Sequence, residues 1–366
     1  MRAITKCRTA ELGGHLLVCD QCGVRSERFN SCCNRHCPKC QGLNRYKWLE
    51  KRQQEILPVD YFHLVFTVPH TLNPLFLRAP KLMYNILFRA AADTLLQIAA
   101  DPKHLGARVG CLALLHTWGQ QLQCHPHIHM IVPAGGLSSD GEEWVDARSS
   151  FFLPVKVLGK VFRGKFLEAI ESESQRGDQI FPDDLNPIDS PNCHQAWLTN
   201  LRSKNWVVYS KPPFGGSAKG LEYLARYTHK VAISDHRLLR IEEGRVHFLW
   251  KDHRDGGETK KMSLEGAEFI RRFMIHILPR GFQRVRYYGL FANRNRARNL
   301  EKCRLLLGAA ELSEVSDDEE TWEERVLRMT GVDPTLCATC GEGRLRLLQK
   351  VPRPASAGAL RPRAPP

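Results

Sequence analysis

Residues 125–132 read His125-Pro126-His127-Ile128-His129-Met130-Ile131-Val132, and this short run decides the fold of the region around it. In an extended strand residues two apart point to the same side. His127 and His129 therefore present two imidazoles on one face while Ile128 packs into a core behind them. Two imidazoles held side by side on a rigid strand make a metal-binding pair, set against the plainer reading of two structural histidines. His125 can share that face, but Pro126 stands between it and His127 and lowers its rank.

Working outward, apolar periodicity begins near residue 58. Residues 62–68 read as a strand ended by Pro69, and 80–100 as a helix with Met83, Ile86, Leu87, Ala90 and Leu95 on one side. Residues 109–115 and 127–132 read as strands that pair as a hairpin, and 205–209 as a further strand. Helices are expected over 155–172, 218–230, 264–277 and 296–308, and a closing pair of strands over 231–241 and 245–250. Strands alternating with helices, some joined by hairpin-like links, give an α+β fold with a central antiparallel sheet flanked by helices.

The second chemical constellation is Leu221-Glu222-Tyr223-Leu224-Ala225-Arg226-Tyr227-Thr228-His229-Lys230. Tyr223 and Tyr227 lie four apart and share one face of a helix. Arg226, His229 and Lys230 surround the two phenols with positive charge, which favours phenolate and attracts phosphate. Read alone, two tyrosines at this spacing are amphipathic core residues; the histidine pair upstream favours the chemical reading.

Thirteen cysteines are present, seven of them in the first 40 residues. Cys19-x-x-Cys22 and Cys37-x-x-Cys40 have the spacing of a four-thiolate zinc site, each turn aiming two sulfurs at one point at about 2.3 Å Zn–S. Gly23 follows the first turn. Cys32, His36 and His15 are alternative ligands, and with Cys7 or Cys33 they allow a second site. Cys337-x-x-Cys340-Gly341 is half a site: it closes a zinc with ligands elsewhere, pairs across a dimer, or binds nothing. Cys111, Cys124, Cys193 and Cys303 read as core fillers. The small module from 1 to 55 has almost no apolar core, so metal would supply its folding energy. Its excess of Lys and Arg, with Phe29, Tyr46 and Trp48 interleaved, suits contact with a nucleic acid, with protein contact as the alternative.

Across the chain, 53 Lys and Arg stand against 39 Asp and Glu, a net charge of +14, which points to a polyanionic partner. Hydrophobic residues make up 43% and charged residues 25%, so a packed core rather than wholesale disorder is expected. No apolar run reaches the roughly 18 residues of a membrane span, and the start lacks a secretory signal, so a cytoplasmic protein is expected. Residues 280–304 hold eight Lys and Arg, including Arg284 and Arg286, against one acid. With Tyr287, Tyr288 and Phe291 among them they read either as a DNA track with rings for base stacking or as a solvated helix face. The eight acids of 305–324 read as a solvated linker, and the Pro- and Ala-rich tail as disordered. The domain reading is a zinc- and DNA-binding module (1–55), a catalytic domain (58–305), an acidic linker with the C-terminal knuckle (306–350) and a tail (351–366).

HPHIHMIV resembles the His-hydrophobic-His motif of HUH endonucleases, and with YLARY it resembles the two-tyrosine transposases of the insertion-sequence-91 family. NSCCNRHCPKCQ, YFHLVFTVPH, LLHTWGQQLQCHPHIH, YTHKVAISDHRL and EFIRRFMIHILPRGFQRVRYYG fit the same pattern, which runs from residue 1 to about 305. The resemblance implies an HUH-endonuclease-like fold and rolling-circle transposition of an insertion sequence. A tyrosine cleaves single-stranded DNA at the element's ends, leaving a 5′-phosphotyrosine and a free 3′-OH. It implies Tyr223 and Tyr227 as nucleophiles, with His127 and His129 holding a divalent Mg²⁺ or Mn²⁺. Gln120 is the first choice for a third ligand, with His116 and His229 as rivals. DNA contacts are expected from Arg226, His229, Lys230, Arg284 and Arg286. No GxxxxGK[ST] motor motif is present, so a host helicase and replication machinery are implied partners.

Two departures from the family pattern stand out. The chain opens almost directly at CRTAELGGH, where relatives carry a few dozen residues first, and Asp235 stands where the pattern has Asn. Retained activity of this copy is therefore an expectation for assay. Competing readings are an HUH replication initiator or relaxase, and a non-catalytic zinc-finger DNA-binding protein.

Overall fold

A computed structural model of the chain describes residues 2–40, 46, 48–50, 52, 55–147, 152–175, 181, 190–214, 231–253, 255–309 and 320–354. The described strands are β1 (Gly14–Cys19), β2 (Arg25–Phe29), β3 (Tyr61–Thr67), β4 (Gly110–Trp118), β5 (Cys124–Pro133), β6 (Gly135–Leu137), β7 (Trp144–Asp146), β8 (Val208–Phe214), β9 (Leu238–Glu242), β10 (Arg245–Asp252), β11 (Glu258–Glu265), β12 (Val285–Gly289) and β13 (Leu345–Val351). The described helices of more than two turns are α1 (Pro80–Ala100), α2 (Val155–Gln175), α3 (Pro191–Ser203), α4 (Gly266–Met274), α5 (Arg296–Leu306) and α6 (Trp322–Thr330).

Two compact units form, and each has its own sheet. The larger spans Lys51–Thr228 and His236–Glu311. Its centre is a five-stranded antiparallel sheet in the order β12-β4-β5-β3-β8. The alternation of each strand decides its two faces. Phe62, Leu64 and Phe66 of β3, Ala113 and Leu115 of β4, and Ile128, Met130 and Val132 of β5 turn to one side and join the main core. Helices α1 and α2 cover that side with Met83, Leu87, Phe88, Phe162 and Phe166, all fully buried. Each such phenylalanine contributes roughly 1.5–3 kcal/mol by leaving water, so the sheet–helix layer is the main source of stability. The opposite face carries the odd-numbered residues of β3 and β5, His63, His127 and His129 among them.

The expected hairpin of 109–115 with 127–132 is present as β4 and β5, joined by the turn at 119–123. A second, three-stranded sheet in the order β11-β10-β9 carries α4 at its end. The strand expected over 231–241 begins later, at Leu238, because Asp235–Arg237 form a short 3-10 turn. The strand expected over 205–209 is displaced to Val208–Phe214. Within 280–304, Val285–Gly289 pair with Gly110–Leu114 as the edge of the central sheet, and Arg296–Leu306 form helix α5. The helix expected over 218–230 lies outside the described residues.

The smaller unit gathers described residues of Met1–Glu50, His229–Asp235 and Leu312–Pro366. Its three-stranded antiparallel sheet has the order β13-β1-β2, with β1 pairing β13 from Gly14↔Val351 to Cys19↔Leu345. The stretches read as separate segments, 1–55 and 306–350, thus contribute to one unit. Helix α6 starts with a capping box, Thr321 and Glu324 each satisfying the other's backbone N–H.

Candidate functional site

On the face of the central sheet opposite the main core, cross-strand register brings three imidazoles together. His116 of β4 stands directly opposite His127 of β5, and His129 follows two residues along β5. One ring nitrogen from each of His116, His127 and His129 lies within 4.8 Å of the others. The ring centroids are 5.4 Å apart for His116–His127, 4.5 Å for His116–His129 and 4.8 Å for His127–His129. His116 is 3% and His129 9% exposed, while His127 is half-buried and marks the accessible side.

Hydrogen bonds orient the trio. Nδ1 of His127 lies 2.7 Å from the carbonyl oxygen of His125, which only accepts, so in the neutral ring Nδ1 holds the proton and Nε2 the lone pair. Nδ1 of His129 lies 2.7 Å from Nε2 of His63, a residue of β3 that is 2% exposed. Burial, and then the charge of Lys211, push His63 down to about 4, so it is a neutral imidazole at physiological pH. The sequence reading missed His63, although its parity in YFHLVFT places it on the histidine face once β3 pairs with β5.

Gln120 does not join the imidazoles. Its side-chain oxygen lies 3.5 Å from the backbone N–H of Lys251, and its carbonyl accepts from the Arg237 guanidinium. The turn at 119–123 therefore aims Gln120 toward β9 and β10, and the rival His116 occupies the third position. His116 stacks on Trp118 at 4.7 Å, and Arg284 lies over the Trp118 ring at 5.7 Å. His125 sits 5.0 Å from His127 but lies outside the trio.

Arg286 is turned into the helix-covered side. Its guanidinium lies 4.3 Å from the Phe88 ring centroid and 4.9 Å from that of Phe282, and it donates to Asn85 at 2.6 Å. The rings near it are equally committed. Tyr287 accepts from Arg52 at 2.8 Å with Arg296 over its ring at 4.5 Å, and Phe291 is 8% exposed beside Leu57 and Leu137. The expected stacking rings are thus packing elements of β12 and its neighbours. Tyr223, Arg226, Tyr227, His229 and Lys230 lie outside the described residues.

The four cysteines expected to share one zinc fall into two groups. Cys37 and Cys40 gather with Cys7 and Cys32, whereas Cys19 and Cys22 gather with Cys337 and Cys340; in each group all four sulfurs lie within 4.8 Å of one another. The reason is the hairpin between the two motifs. Cys19 and Cys22 sit at its tip, while Phe29 pairs with Gly14 at its base, and five residues of strand carry the chain roughly 17 Å away before Cys32 is reached. Among the alternatives, Cys7 and Cys32 complete the base group, while Cys33 is exposed. In the base group Cys7 is 1% and Cys37 0% exposed, Cys32 and Cys40 sulfurs are 3.8 Å apart, and Cys7 accepts from the Cys32 N–H at 3.4 Å. Burial raises the Cys32 and Cys40 thiols, so a divalent cation is what would hold these two as thiolates beside the other two sulfurs.

Among the described residues no helix is long and apolar enough to cross a membrane.

Residues 110–299 match the family model described as putative transposase, and residues 1–68 match the transposase zinc-binding domain. The chain is 48% identical over 347 residues to the putative transposase y4qJ of Sinorhizobium fredii, covering 94% of this chain and 87% of that protein. It is 28% identical over 348 residues to the transposase for insertion sequence element IS801 of Pseudomonas savastanoi pv. phaseolicola, covering 92% of this chain and 79% of that protein. Among solved structures, the conjugative relaxase TrwC in complex with oriT DNA aligns over 45% of this chain and 68% of its own, at 16% identity and a TM-score of 0.23. By the two family models and the 48%-identical relative, the chain belongs to the insertion-sequence-91 family of transposases and carries a transposase zinc-binding domain at its N-terminus.

Proposed function

We propose that this transposase cuts and rejoins single-stranded DNA by tyrosine transesterification, with Tyr223 and Tyr227 as nucleophiles and His116, His127 and His129 as the ligands of one divalent cation. The observation that carries the reading is the imidazole trio, three nitrogens converging on one face of a sheet whose other face packs the main core. Such a donor set fits a transition-series cation better than Mg²⁺, which prefers oxygen ligands, so Mn²⁺ ranks above Mg²⁺ here. When bound, the cation polarises the non-bridging oxygens of the scissile phosphate.

The chain's own groups supply the rest. The tyrosine oxygen forms a bond to phosphorus as the bond to the 3′ oxygen breaks; the phenol gives up its proton and the departing 3′ oxygen takes one up. The 5′ phosphate stays on tyrosine and the released 3′-OH is free to prime synthesis. One phosphodiester is exchanged for another, so no nucleotide cofactor is consumed. Two tyrosines allow two successive cleavages, the 3′-OH of one resolving the covalent link of the other. Arg284, stacked over Trp118 next to His116, adds positive charge beside the trio for a phosphate. Arg226, His229 and Lys230 contribute further positive charge for the DNA, and the zinc-bearing module engages the element's ends. Strand separation falls to a host helicase and replication machinery.

A covalent-adduct assay tests this. The protein is incubated with Mn²⁺ and single-stranded DNA carrying the element's own ends, then resolved on a denaturing gel. The expected result is a shifted band that requires both metal and DNA and disappears in the Tyr223→Phe/Tyr227→Phe double variant. DNA binding without any adduct on verified ends would sink the enzymatic reading and leave a DNA-binding protein whose histidines and tyrosines are structural.

A further inference from the structure

We propose that Cys19, Cys22, Cys337 and Cys340 hold a second structural zinc, separate from that of the Cys7/Cys32/Cys37/Cys40 group, and that this ion clasps the C-terminal strand onto the N-terminal hairpin. The zinc-binding domain match ends at residue 68, so half of this ligand set lies far outside it.

The geometry is that of a tetrahedral thiolate site. Cys19 and Cys340 sulfurs are 3.8 Å apart, as are those of Cys22 and Cys337. Four sulfurs about 2.3 Å from a central zinc lie about 3.8 Å from one another along each tetrahedral edge. A disulfide needs about 2.05 Å, so these are not bonded pairs.

Both arms are built to the same plan. In the N-terminal turn Gly23 N–H donates to the Cys19 carbonyl at 3.2 Å, and in the C-terminal turn Gly341 N–H donates to the Cys337 carbonyl at 2.9 Å. Gly23 and Gly341 take φ values of 69° and 74°, the left-handed conformation that closes a two-cysteine turn behind its sulfurs. Gly343 N–H donates to Cys340 Sγ at 3.3 Å, and a Cβ on Gly343 would run into Cys19 Sγ. Asp20, inside the first turn, locks the register of the second: its N–H donates to the Arg344 carbonyl at 3.0 Å and its carboxylate accepts from the Arg344 N–H at 2.7 Å.

Beyond its backbone pairing with β1, the strand that this arrangement fixes buries little apolar surface. β13 lies at the edge of its sheet beside β1, and Leu347 and Leu348 are 53% and 50% exposed. Apolar burial therefore does not anchor the C-terminal segment, and in small modules of this kind metal binding supplies the missing folding energy. The zinc also closes a loop of more than three hundred residues between Cys22 and Cys337, whose sequence separation is 315.

Two measurements on the full chain test the assignment. Metal analysis of protein purified with zinc is expected to show one zinc ion per chain fewer in Cys337→Ser/Cys340→Ser than in the parent, one fewer in Cys37→Ser/Cys40→Ser, and two fewer in the combined variant, with any ion on His116, His127 and His129 common to all four proteins. An unchanged zinc content in Cys337→Ser/Cys340→Ser would overturn the proposal. The second measurement needs no variant. In the zinc-loaded chain, N-ethylmaleimide labelling followed by peptide mass mapping is expected to spare Cys22 and Cys340, which are exposed and half-buried, while modifying exposed Cys193. A chelator should then open both to modification. Labelling of Cys22 and Cys340 as fast as Cys193 before any chelator is added would overturn it even if the variants fail to fold.

Discussion

His63 Nε2 lies 2.7 Å from His129 Nδ1, and the two rings stack with their planes 6° apart. For His129 to direct the Nε2 lone pair at a cation, its Nδ1 must keep the proton and donate it, and a buried neutral His63 accepts it. Partners of this kind set the tautomer of a ligating imidazole, and their loss typically costs about 10–100-fold in metal affinity. His63→Ala should therefore weaken Mn²⁺ binding by about that factor, measured by calorimetry or by the electron-spin signal of free Mn²⁺. His63→Gln, which keeps an acceptor, should recover much of the loss. Equal loss in both variants would make His63 a packing residue only.

The identity of the third ligand gives a sharper contrast. His116 stands opposite His127 in register, whereas Gln120 is held by Lys251 and Arg237. His116→Ala should lower Mn²⁺ affinity by about two orders of magnitude and abolish the covalent adduct, while Gln120→Ala should change affinity by less than about threefold. Strong loss of metal in Gln120→Ala with binding intact in His116→Ala would reverse the assignment.

These cases show what the sequence makes legible. Alternation within one strand is local, so the His127–His129 pair and the core side of Ile128 follow from eight residues of text. The strand–helix–hairpin frame from Tyr61 to Pro133 follows in the same way, because each element carries its own period. His116 and His63 depend on register between strands, which needs a bulge near residues 116–118 and the pairing of β3 with β5. No local pattern states either. The cysteine motifs failed differently: spacing pairs the nearest turns, but strand β2 carries them to opposite ends of a hairpin, and the partner of Cys19 and Cys22 is more than three hundred residues away. The packing of Arg286 and Tyr287 is hidden for a related reason, since both lie on β12, a strand whose pairing with β4 is non-local.

Acid should weaken the larger unit through His276. This ring is 3% exposed, with Nε2 3.0 Å from the Leu122 carbonyl and Nδ1 3.2 Å from the Thr117 hydroxyl, so it ties the end of α4 to the β4–β5 turn as a neutral group. Burial pushes it down to about 4 from an ordinary 6.5, outweighing the upward pull of the Leu122 carbonyl. Between those values the unfolded chain binds the proton and the folded chain does not, so stability is full above about pH 6.5 and falls as pH drops toward 4. At pH 5 the loss from this one group is about 2 kcal/mol. Urea unfolding at pH 7 and pH 5 should show that loss in the parent and a smaller one in His276→Gln. An identical pH dependence in both would assign the effect elsewhere.

The two arginines of β12 and its approach should separate cleanly. Arg286 is committed to Asn85, Phe88 and Phe282 on the core side, so Arg286→Ala removes cation–π contacts and leaves the Asn85 amide oxygen without its donor. That change should cost about 1–3 kcal/mol of stability and leave the salt dependence of DNA binding unaltered. Arg284 lies over Trp118 on the histidine side, and Arg284→Ala should do the opposite. One lost phosphate contact lowers the slope of log affinity against log salt by about 0.7–0.9 on single or double strands, with little change in unfolding midpoint. Titrations of element-end DNA at several salt concentrations, alongside urea melts of both variants, measure the two axes together. A reduced salt slope in Arg286→Ala, or an unchanged one in Arg284→Ala, would move the DNA path away from this edge of the sheet.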